Sequence, residues 1–361
     1  MKFADSGEIY LSASYFTAVG DGAPDVPKLL KMLAFLRIWR PENGNCICLS
    51  ANLNDYFLKN KNGIIYMKIA DKWKDYSIIA TGDGQKLERW KDVVLLRPDP
   101  QVIWKSQTDM SAYKSLNAIY NRSDKGGGGW QILKKMPEQW TVSYGDLKFL
   151  VKPMGFKHTG LFPEQAVNWD RMTELIENAG RPISVLNLFA YTGGATVACL
   201  NAGASVCHVD ASKGMVERAG ENVRLSGLSD KPARFIIDDC KKFVQREIRR
   251  GRKYDAVIMD PPSYGRGPNG EMWKIESELY PLVELCTGVL SDNPLFFLIN
   301  SYTTGLQPMV LKNILSLTVG KKYKGEIEAY EVGIKTEEGI DLPCGASGIF
   351  IADKNPNRTR L

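Results

Sequence analysis

A regular alternation of apolar and helical segments between residues 183 and 300 limits the folds that this chain can adopt. Five continuous apolar runs are typical of strands: ISVLNLFA (183–190), SVCHVD (205–210), ARFIIDD (233–239), YDAVIMD (254–260) and PLFFLIN (294–300). Segments of helical character separate them, at 195–203, 213–227, 240–251 and 276–290. Continuous apolar strands are normally covered by helices on both faces. The pattern therefore predicts a doubly wound α/β fold with a parallel sheet.

The last part of the chain departs from this alternation. Residues 327–334 and 347–353 have strand character, with only a polar loop between them. Two consecutive strands without a crossover helix predict an antiparallel pair at the sheet edge. We expect the α/β domain to span residues 156–361.

Residues 67–155 contain short β-type runs separated by turn residues, which predict a small α+β domain. Its one predicted helix is DMSAYKSLNAIYN (109–121), and DKGGGG (124–129) predicts a flexible hairpin loop. Residues 1–66 show no pattern that pairs with the rest and are left unassigned. Met67 opens a segment that would itself make a natural start, so we expect residues 1–66 to be dispensable.

Composition narrows the class of protein. The chain has 361 residues, of which 44% are apolar and 24% are charged, as in soluble globular proteins. It has no run of 18 apolar residues and no signal-peptide pattern. Seven cysteines without a CxxC pair, and only His158 and His208, indicate a reduced, cytoplasmic and metal-free protein. The net charge of +6 fits a polyanionic partner.

Acidic residues end three successive predicted strands. The segment LNLFAYTGG (186–194) is a strand that runs into a glycine turn and a helix, and Gly193 and Gly194 allow close approach of a ligand. Asp210, Asp239 and Asp260 follow at the ends of the next three strands. The carboxyl ends of parallel strands form the edge where such folds bind ligands. We therefore expect a nucleoside cofactor at this edge, with Asp210 accepting hydrogen bonds from ribose hydroxyls.

These segments carry a resemblance to a known family. The series VLNLFAYTGGAT, VDAS, IIDDC and VIMDPPSY resembles the class I S-adenosylmethionine-dependent methyltransferases, which have a Rossmann-like fold. More narrowly, it is similar to the branch that methylates large-subunit ribosomal RNA at cytosine C5 or guanine N7. The segment HTGLFPEQAVNW (158–169) is similar to the flanking segment that closes over the cofactor in that branch. The resemblance covers about residues 70–355 and includes no separate RNA-binding PUA domain.

The resemblance implies S-adenosylmethionine as cofactor and assigns its contacts. The backbone from Asn187 to Gly193 should surround the methionine part, Asp239 should meet the adenine amine, and the Cys240 N–H should face the ring. The full set of expected cofactor residues is Phe162, Gln165, Asn187, Phe189, Tyr191, Thr192, Gly193, Asp210, Ser212, Asp239 and Cys240.

The motif MDPPSY (259–264) predicts the acceptor site. Methyl transfer is an in-line displacement, so catalysis depends mostly on placement. Asp260 and the Pro261 carbonyl can accept two N–H bonds from an amine, and Tyr264 can stack on a planar base. In amine methylases the aromatic residue typically follows the prolines directly, whereas here Ser263 intervenes. The same offset occurs in the ribosomal RNA branch, so the motif indicates a methyl-acceptor site more strongly than it indicates an amine.

Methylation at cytosine C5 requires a cysteine thiolate that attacks C6. In similar cytosine enzymes this cysteine follows the fifth strand, where the present chain has Tyr302. We therefore expect a nitrogen or oxygen acceptor rather than C5. Only Cys344, at the start of the last strand, could supply a thiol in its place.

Basic residues suggest RNA contacts, although each has a plainer explanation. The run KKFVQREIRRGRK (241–253) either binds phosphates or forms the solvated face of a helix. Arg122 and Lys125 flank the glycine loop, and Arg266 follows the acceptor motif. Of these, Arg266 is the best candidate for a substrate phosphate.

The sequence thus predicts a methyltransferase that acts on a base of ribosomal RNA, with a role in rRNA processing. A methyltransferase of a small molecule or protein, a nicotinamide dehydrogenase, and a non-catalytic RNA-binding protein remain alternatives. The absence of GxGxxG and the DPP sequence argue against the dehydrogenase. The acceptor atom, the RNA position and the oligomeric state are left open by the sequence.

Overall fold

The computed structural model describes residues 2–3, 9–10, 67–123, 127–155, 157–266 and 272–353. The chain divides into two compact units, Met1–Ile64 and Ile65–Leu361. In the first unit, Lys2–Phe3 (β1) pairs antiparallel with Ile9–Tyr10 (β2). Apart from these two strands, residues 1–66 lie outside the described residues, and so does the expectation that they are dispensable. The predicted division at residue 155 falls within the second unit and stays a prediction.

An eight-stranded sheet forms the centre of the second unit. Five strands are parallel to one another, in the spatial order Ala233–Ile237 (β13), Ser205–Asp210 (β12), Ser184–Leu188 (β11), Ala256–Met259 (β14) and Phe296–Ser301 (β17). The chain order reverses between β11 and β14, which creates the switch point where doubly wound sheets bind ligands. The predicted fold class and all five predicted strands are confirmed.

The sheet continues with antiparallel strands. Asp341–Ala352 (β19) pairs antiparallel with β17, and Gly325–Lys335 (β18) pairs antiparallel with β19. The predicted antiparallel pair is therefore confirmed. A short strand, Met67–Ile69 (β3), pairs parallel with β18 and extends the edge beyond that pair.

Helices connect the strands. They are Ala166–Glu177 (α1), Gly194–Asn201 (α2), Lys213–Leu225 (α3), Cys240–Arg249 (α4), Ile275–Cys286 (α5), Pro308–Leu317 (α6) and Val319–Lys322 (α7). The four helices predicted between residues 195 and 290 correspond to α2 to α5, whereas α1, α6 and α7 were not predicted. Among the described residues, no helix is long and apolar enough to cross a membrane.

Two apolar clusters cover the two faces of the sheet. Val185, Ile258 and Leu298 belong to one cluster. Their immediate neighbours along the same strands, such as Leu186 and Val257, belong to the other. Because successive side chains of a strand point to opposite faces, the continuous apolar runs reflect burial on both sides.

Residues 76–151 form β structure. A five-stranded sheet contains Tyr76–Gly82 (β4), Gln85–Trp90 (β5), Val93–Pro98 (β6), Leu116–Arg122 (β7) and Gly128–Ile132 (β8). A separate hairpin pairs Trp140–Tyr144 (β9) with Leu147–Val151 (β10). A few residues further on, Pro163–Gln165 form a single 3₁₀ turn that leads into α1.

The predicted helix over 109–121 is wrong. Its second half is strand β7, which pairs parallel with β6 and antiparallel with β8. Along β7, Leu116, Ala118 and Tyr120 are buried and alternate with less buried residues. This alternation has the period of a strand with one buried face. Between residues 67 and 155 the described residues contain no helix.

Candidate active site

The turn after β11 is the most strained part of the sheet edge. Phe189 and Tyr191 have positive φ angles of 52° and 49°, and Gly193 has a φ of 83°. A non-glycine residue in this left-handed region costs about 1–3 kcal/mol and typically occurs at functional sites. Neighbouring groups hold the turn: Tyr191 N donates to Asp210 Oδ2 at 2.9 Å, and Thr192 Oγ1 donates to the Gly160 carbonyl at 2.6 Å.

The two glycines of this turn are required by protein packing. A Cβ on Gly193 would lie 2.8 Å from Ala219 Cβ in α3. A Cβ on Gly194 would lie 2.6 Å from Trp169 Cζ2 in α1. The sequence interpretation, in which these glycines give a ligand access to the backbone, stays a prediction, and packing gives a second reason for them. They allow two helices to pack closely against the turn.

A cleft with a volume of about 60 Å³ lies at the carboxyl edge of the sheet. Six predicted cofactor residues and one predicted acceptor residue line it: Phe162, Gln165, Asn187, Phe189, Tyr191, Thr192 and Asp260. The remaining lining residues are Leu161, Trp169, Ala190, Gly194, Ala195, Ile258 and Asn300. The structure thus brings the glycine turn, the flanking segment and the acceptor motif together around one cleft.

Other predicted residues lie beside this cleft rather than in its lining. Asp210 ends β12, and its two carboxylate oxygens accept hydrogen bonds from Tyr191 N at 2.9 Å and Ser212 N at 2.8 Å. Each oxygen retains a further lone pair for a ligand. The orientation of the carboxylate is fixed by the backbone before any ligand arrives.

Asp239 and Cys240 begin helix α4. Asp239 caps the helix, because its Oδ1 accepts a hydrogen bond from Lys242 N at 2.8 Å. The Cys240 N–H is one of the donors that an α-helix leaves without an intrahelical acceptor. The Cys240 thiol accepts a hydrogen bond from Phe189 N at 3.2 Å, which holds the strained turn against the start of α4. Asp239 therefore has a structural role in addition to the predicted contact with adenine.

Asn187 takes part in an internal hydrogen-bond chain. Its Nδ2 donates to Thr196 Oγ1 at 3.0 Å, and Thr196 Oγ1 lies 3.0 Å from His208 Nδ1. All three side chains are buried. Burial lowers the pKa of His208 to about 4, so this histidine is neutral near pH 7. The hydrogen-bond chain thus links β11, α2 and β12 inside the fold.

Asp260 follows β14, at the entrance to the acceptor motif. Burial raises its pKa from 3.8 to about 7, and the nearby Glu164 adds to the shift. The pKa of Glu164 is itself raised, principally by burial. Two carboxyl groups in one low-dielectric site disfavour simultaneous ionisation. Asp260 thus changes its charge near neutral pH.

Contacts around the two prolines hold the acceptor motif in place. Trp273 Nε1 donates to the Pro262 carbonyl at 2.6 Å, and the Trp273 ring lies 5.3 Å from the Phe189 ring. Ser263 Oγ lies 2.6 Å from Thr303 Oγ1. Trp273 was not predicted from the sequence, because it lies nine residues beyond Tyr264 on the returning strand of a hairpin.

Tyr264 begins that hairpin, which pairs Tyr264–Arg266 (β15) with Met272–Lys274 (β16). Its side chain is 50% exposed. Tyr264 is thus half exposed, four residues after Asp260 along the chain. The side chain of Arg266 and all of Lys125 lie outside the described residues.

A buried polar network joins the flanking segment to the end of β17. Gln165 Nε2 donates to Tyr302 OH at 2.7 Å. Asn168 Nδ2 contacts Gln165 Oε1 at 2.8 Å, Asn300 Oδ1 at 3.0 Å and Ser347 Oγ at 2.9 Å. Asn168 is fully buried on α1. It was missed because an asparagine in a helical segment gives no local sign of burial.

Tyr302 and Cys344, the two residues that bear on methylation at cytosine C5, lie close together. The Tyr302 ring lies 5.2 Å from the Phe162 ring, next to the cleft. Cys344 is the fourth residue of β19 rather than its first, and it is buried. Its thiol donates to the Leu342 carbonyl at 3.5 Å, and burial raises its pKa well above the ordinary value. A protonated thiol is a poor nucleophile.

At least three of the seven basic residues in the run 241–253 form ion pairs. Lys241 Nζ lies 2.8 Å from Glu278 Oε2, and Arg250 NH1 lies 3.0 Å from Glu247 Oε1. Arg246 pairs with Asp238. These contacts favour the plainer explanation, in which the run is the solvated face of α4. Arg122 ends β7 and is exposed.

The family model for S-adenosylmethionine-dependent methyltransferases matches residues 117–286. A crystal structure of a SAM-dependent methyltransferase from Agrobacterium tumefaciens aligns with a TM-score of 0.74 and 32% identity, covering 80% of this chain and 94% of that one. A ribosomal RNA large subunit methyltransferase K/L from Syntrophotalea carbinolica is 28% identical over 206 residues, which are 55% of this chain and 28% of the relative. The enzyme of the same name from Shewanella baltica is 28% identical over 326 residues, which are 85% of this chain and 42% of the relative.

The sheet order and the cleft at its carboxyl edge define an enzyme with a Rossmann-like fold. The similarity to the Agrobacterium structure extends over nearly all of that protein. The present chain belongs to the S-adenosylmethionine-dependent methyltransferases. The predicted family, enzyme class and cofactor are therefore confirmed. The chain spans less than half the length of the two curated relatives.

Among the described residues, no group of three or more His, Cys, Asp or Glu side chains could hold a metal ion.

Proposed function

We propose that this enzyme methylates a base of ribosomal RNA, in the cytoplasm, as a step of rRNA processing. The observation that carries the proposal is the position of Asp260 in the lining of the cofactor cleft, followed by two prolines and an exposed tyrosine. The names of the two curated relatives and the net charge of +6 support an RNA substrate.

The cleft residues fit S-adenosylmethionine, which supplies an electrophilic methyl group when bound. The Asp210 carboxylate, held by two backbone N–H groups, accepts hydrogen bonds from the ribose hydroxyls. The backbone of the strained turn from Asn187 to Gly193 would surround the methionine part. Asp239 and the Cys240 N–H, at the start of α4, would contact the adenine. Phe162 and Gln165 close the cleft from the flanking segment.

The acceptor site positions a base by hydrogen bonds and stacking. The ionised Asp260 carboxylate and the Pro261 carbonyl accept hydrogen bonds from an amino group and direct its lone pair towards the methyl carbon. Tyr264 stacks on the base, a contact worth about 1–3 kcal/mol. The hydrogen bond from Trp273 to Pro262 keeps the motif rigid. The buried, protonated Cys344 thiol supports a nitrogen or oxygen acceptor over cytosine C5.

Mass mapping of ribosomal RNA from cells with and without the gene tests the proposal. We expect one methylated base of the large-subunit RNA to disappear in the deletion strain and to return with the wild-type gene. A gene carrying Asp260→Ala should not restore it. Identical RNA maps in the two strains would contradict the proposal.

A further inference from the structure

A second cavity, here called the junction pocket, adjoins the cofactor cleft and has a volume of about 220 Å³. Leu161 and Phe162 belong to the lining of both cavities. Glu164 and Tyr302 also line the junction pocket, and both interact electrostatically with Asp260. A group bound there would therefore lie beside the acceptor site.

The junction pocket has an excess of positive charge. Lys86, Arg97 and Lys157 line it, whereas Asp99 is the only lining carboxyl group among the described residues besides Glu164. The pKa of Glu164 is raised by burial, so its ionisation is disfavoured. Three cations thus face one readily ionised carboxylate.

Two of the three cations already have partners. Lys86 Nζ lies 3.1 Å from Asp99 Oδ2. Arg97 pairs with Glu88, which lies outside the pocket lining. Within the described part of the chain, the Lys157 ammonium has no ion-pair partner. Lys157 is therefore the cation available to a ligand.

Electrostatics around Lys157 favour the arrival of an anion. Burial lowers the pKa of Lys157, and the attraction of Asp99, the largest effect of a neighbouring charge, opposes this shift. The nearby cations Lys86, Arg122 and Arg97 lower the pKa further. Three cations and one carboxylate thus act on the ammonium group, and the like charges destabilise it. An anion bound among them would relieve this repulsion.

The backbone fixes Lys157 in this unfavourable place. Arg97 NH1 donates to the Lys157 carbonyl at 2.6 Å. The loop that carries Lys157 is closed by a hydrogen bond from Lys152 N to the Thr159 carbonyl at 3.0 Å. Since the backbone that carries the lysine is held before any ligand binds, the entropy lost on binding would be mainly that of the Lys157 side chain.

We propose that the junction pocket binds a phosphate of the RNA strand that presents the acceptor base, with Lys157 as its principal contact. This inference rests on the proposed function. An RNA strand carries a phosphate on each side of every base, so a base at Asp260 places a phosphate close by. The phosphate would set the register of the strand relative to the methyl donor.

The test compares Lys157→Met and Lys157→Arg with a control, Lys148→Met. Lys148 is exposed on β10 and lines neither cavity. Affinity for unmodified large-subunit ribosomal RNA is measured at several salt concentrations, together with KM for RNA and the dissociation constant of S-adenosylmethionine. Lys157→Met should weaken RNA binding about tenfold. It should also reduce the slope of log affinity against log salt by about 0.7–0.9. Binding of S-adenosylmethionine should stay unchanged, and Lys157→Arg should restore RNA affinity.

Equal RNA affinity and salt slope in Lys157→Met and Lys148→Met would overturn the inference. A melting experiment with inorganic phosphate, against chloride at equal ionic strength, tests the site without RNA. Phosphate should raise the Tm of the wild-type protein and of Lys148→Met, but not that of Lys157→Met. The same response in all three proteins would also overturn the inference.

Failure of the proposed function gives a different result. In that case the wild-type enzyme neither binds nor methylates RNA. A phosphate effect on Tm that disappears in Lys157→Met would then show an anion site that serves a different phosphorylated acceptor, which would overturn the RNA assignment.

Discussion

Asp255 and Asp260 lie at opposite ends of the same strand, β14, and their replacement by asparagine should change stability in opposite directions. Burial of Asp255 is outweighed by hydrogen bonds from Ser184 and Arg181, so the pKa of Asp255 lies below its ordinary value. Burial of Asp260, together with Glu164, raises its pKa from 3.8 to about 7. Ionisation therefore stabilises the fold at Asp255 and destabilises it at Asp260.

The magnitude at Asp260 follows from linkage. Its folded-state pKa is raised, so its contribution to stability is present at acid pH and is lost as the pH rises through about 7. One pKa unit corresponds to about 1.36 kcal/mol, so a rise from 3.8 to about 7 sets an upper bound of about 4 kcal/mol at pH 8. Asp260→Asn should recover about 1–4 kcal/mol at pH 8, at most about 1.6 kcal/mol at pH 5, and very little below about pH 4.

Asp255→Asn is the matched control. The folded-state pKa of Asp255 is lowered, so its contribution is present above the unfolded pKa and is lost as the pH falls through the folded pKa. Losing hydrogen bonds to a charged group should cost about 1.5–3 kcal/mol at pH 8.

Thermal unfolding of the wild-type protein and both variants at pH 8 and pH 5 measures these effects. We expect a higher Tm for Asp260→Asn and a lower Tm for Asp255→Asn at pH 8. If Asp260→Asn lowers the Tm at pH 8 as Asp255→Asn does, the burial argument for Asp260 is refuted.

Three further predictions concern the chemistry. Asp210→Ala should raise the dissociation constant of S-adenosylmethionine at least about tenfold, because an acceptor of the ribose hydroxyls is lost. Unchanged calorimetric affinity in the folded variant would end that assignment. Asp260→Ala should abolish methyl transfer but leave the affinity for S-adenosylmethionine within a few-fold of the wild-type value. Single-turnover rates of the wild-type enzyme should rise with pH through about 7, because Asp260 then loses its proton. Parallel loss of cofactor binding would place Asp260 in the cofactor site. RNA containing 5-fluorocytosine should give no covalent adduct, and Cys344→Ala should retain activity. A denaturation-resistant adduct that Cys344→Ala removes would make Cys344 a nucleophile.

The central sheet could be predicted because its signal is local. Strand β12 has the predicted bounds, residues 205–210, since an apolar run of strand length lies between clear turn signals. Strand β7 could not be predicted in the same way. Its conformation depends on pairing with β6 across more than ten residues of intervening chain, whereas the sequence of 109–121 is also compatible with a helix.

The residues around the cleft could be predicted only in part. Asp210 and Asp260 could be predicted because each lies at the end of a strand, and parallel strands end at a common edge of the sheet. The hydrogen bonds of Asn168 could not be foreseen, since two of its partners, Asn300 and Ser347, lie 132 and 179 residues away. The burial of Glu164 is also a tertiary property, so its effect on Asp260 is visible only in the fold.

Methyl transfer in vitro tests the central claim most directly. The full chain is incubated with S-adenosylmethionine carrying a labelled methyl group and with unmodified large-subunit ribosomal RNA, and the RNA is digested to nucleosides for mass spectrometry. The account predicts label on a nitrogen or oxygen of one base, absent with Asp260→Ala. RNA without label, from a wild-type enzyme that binds S-adenosylmethionine, would contradict it.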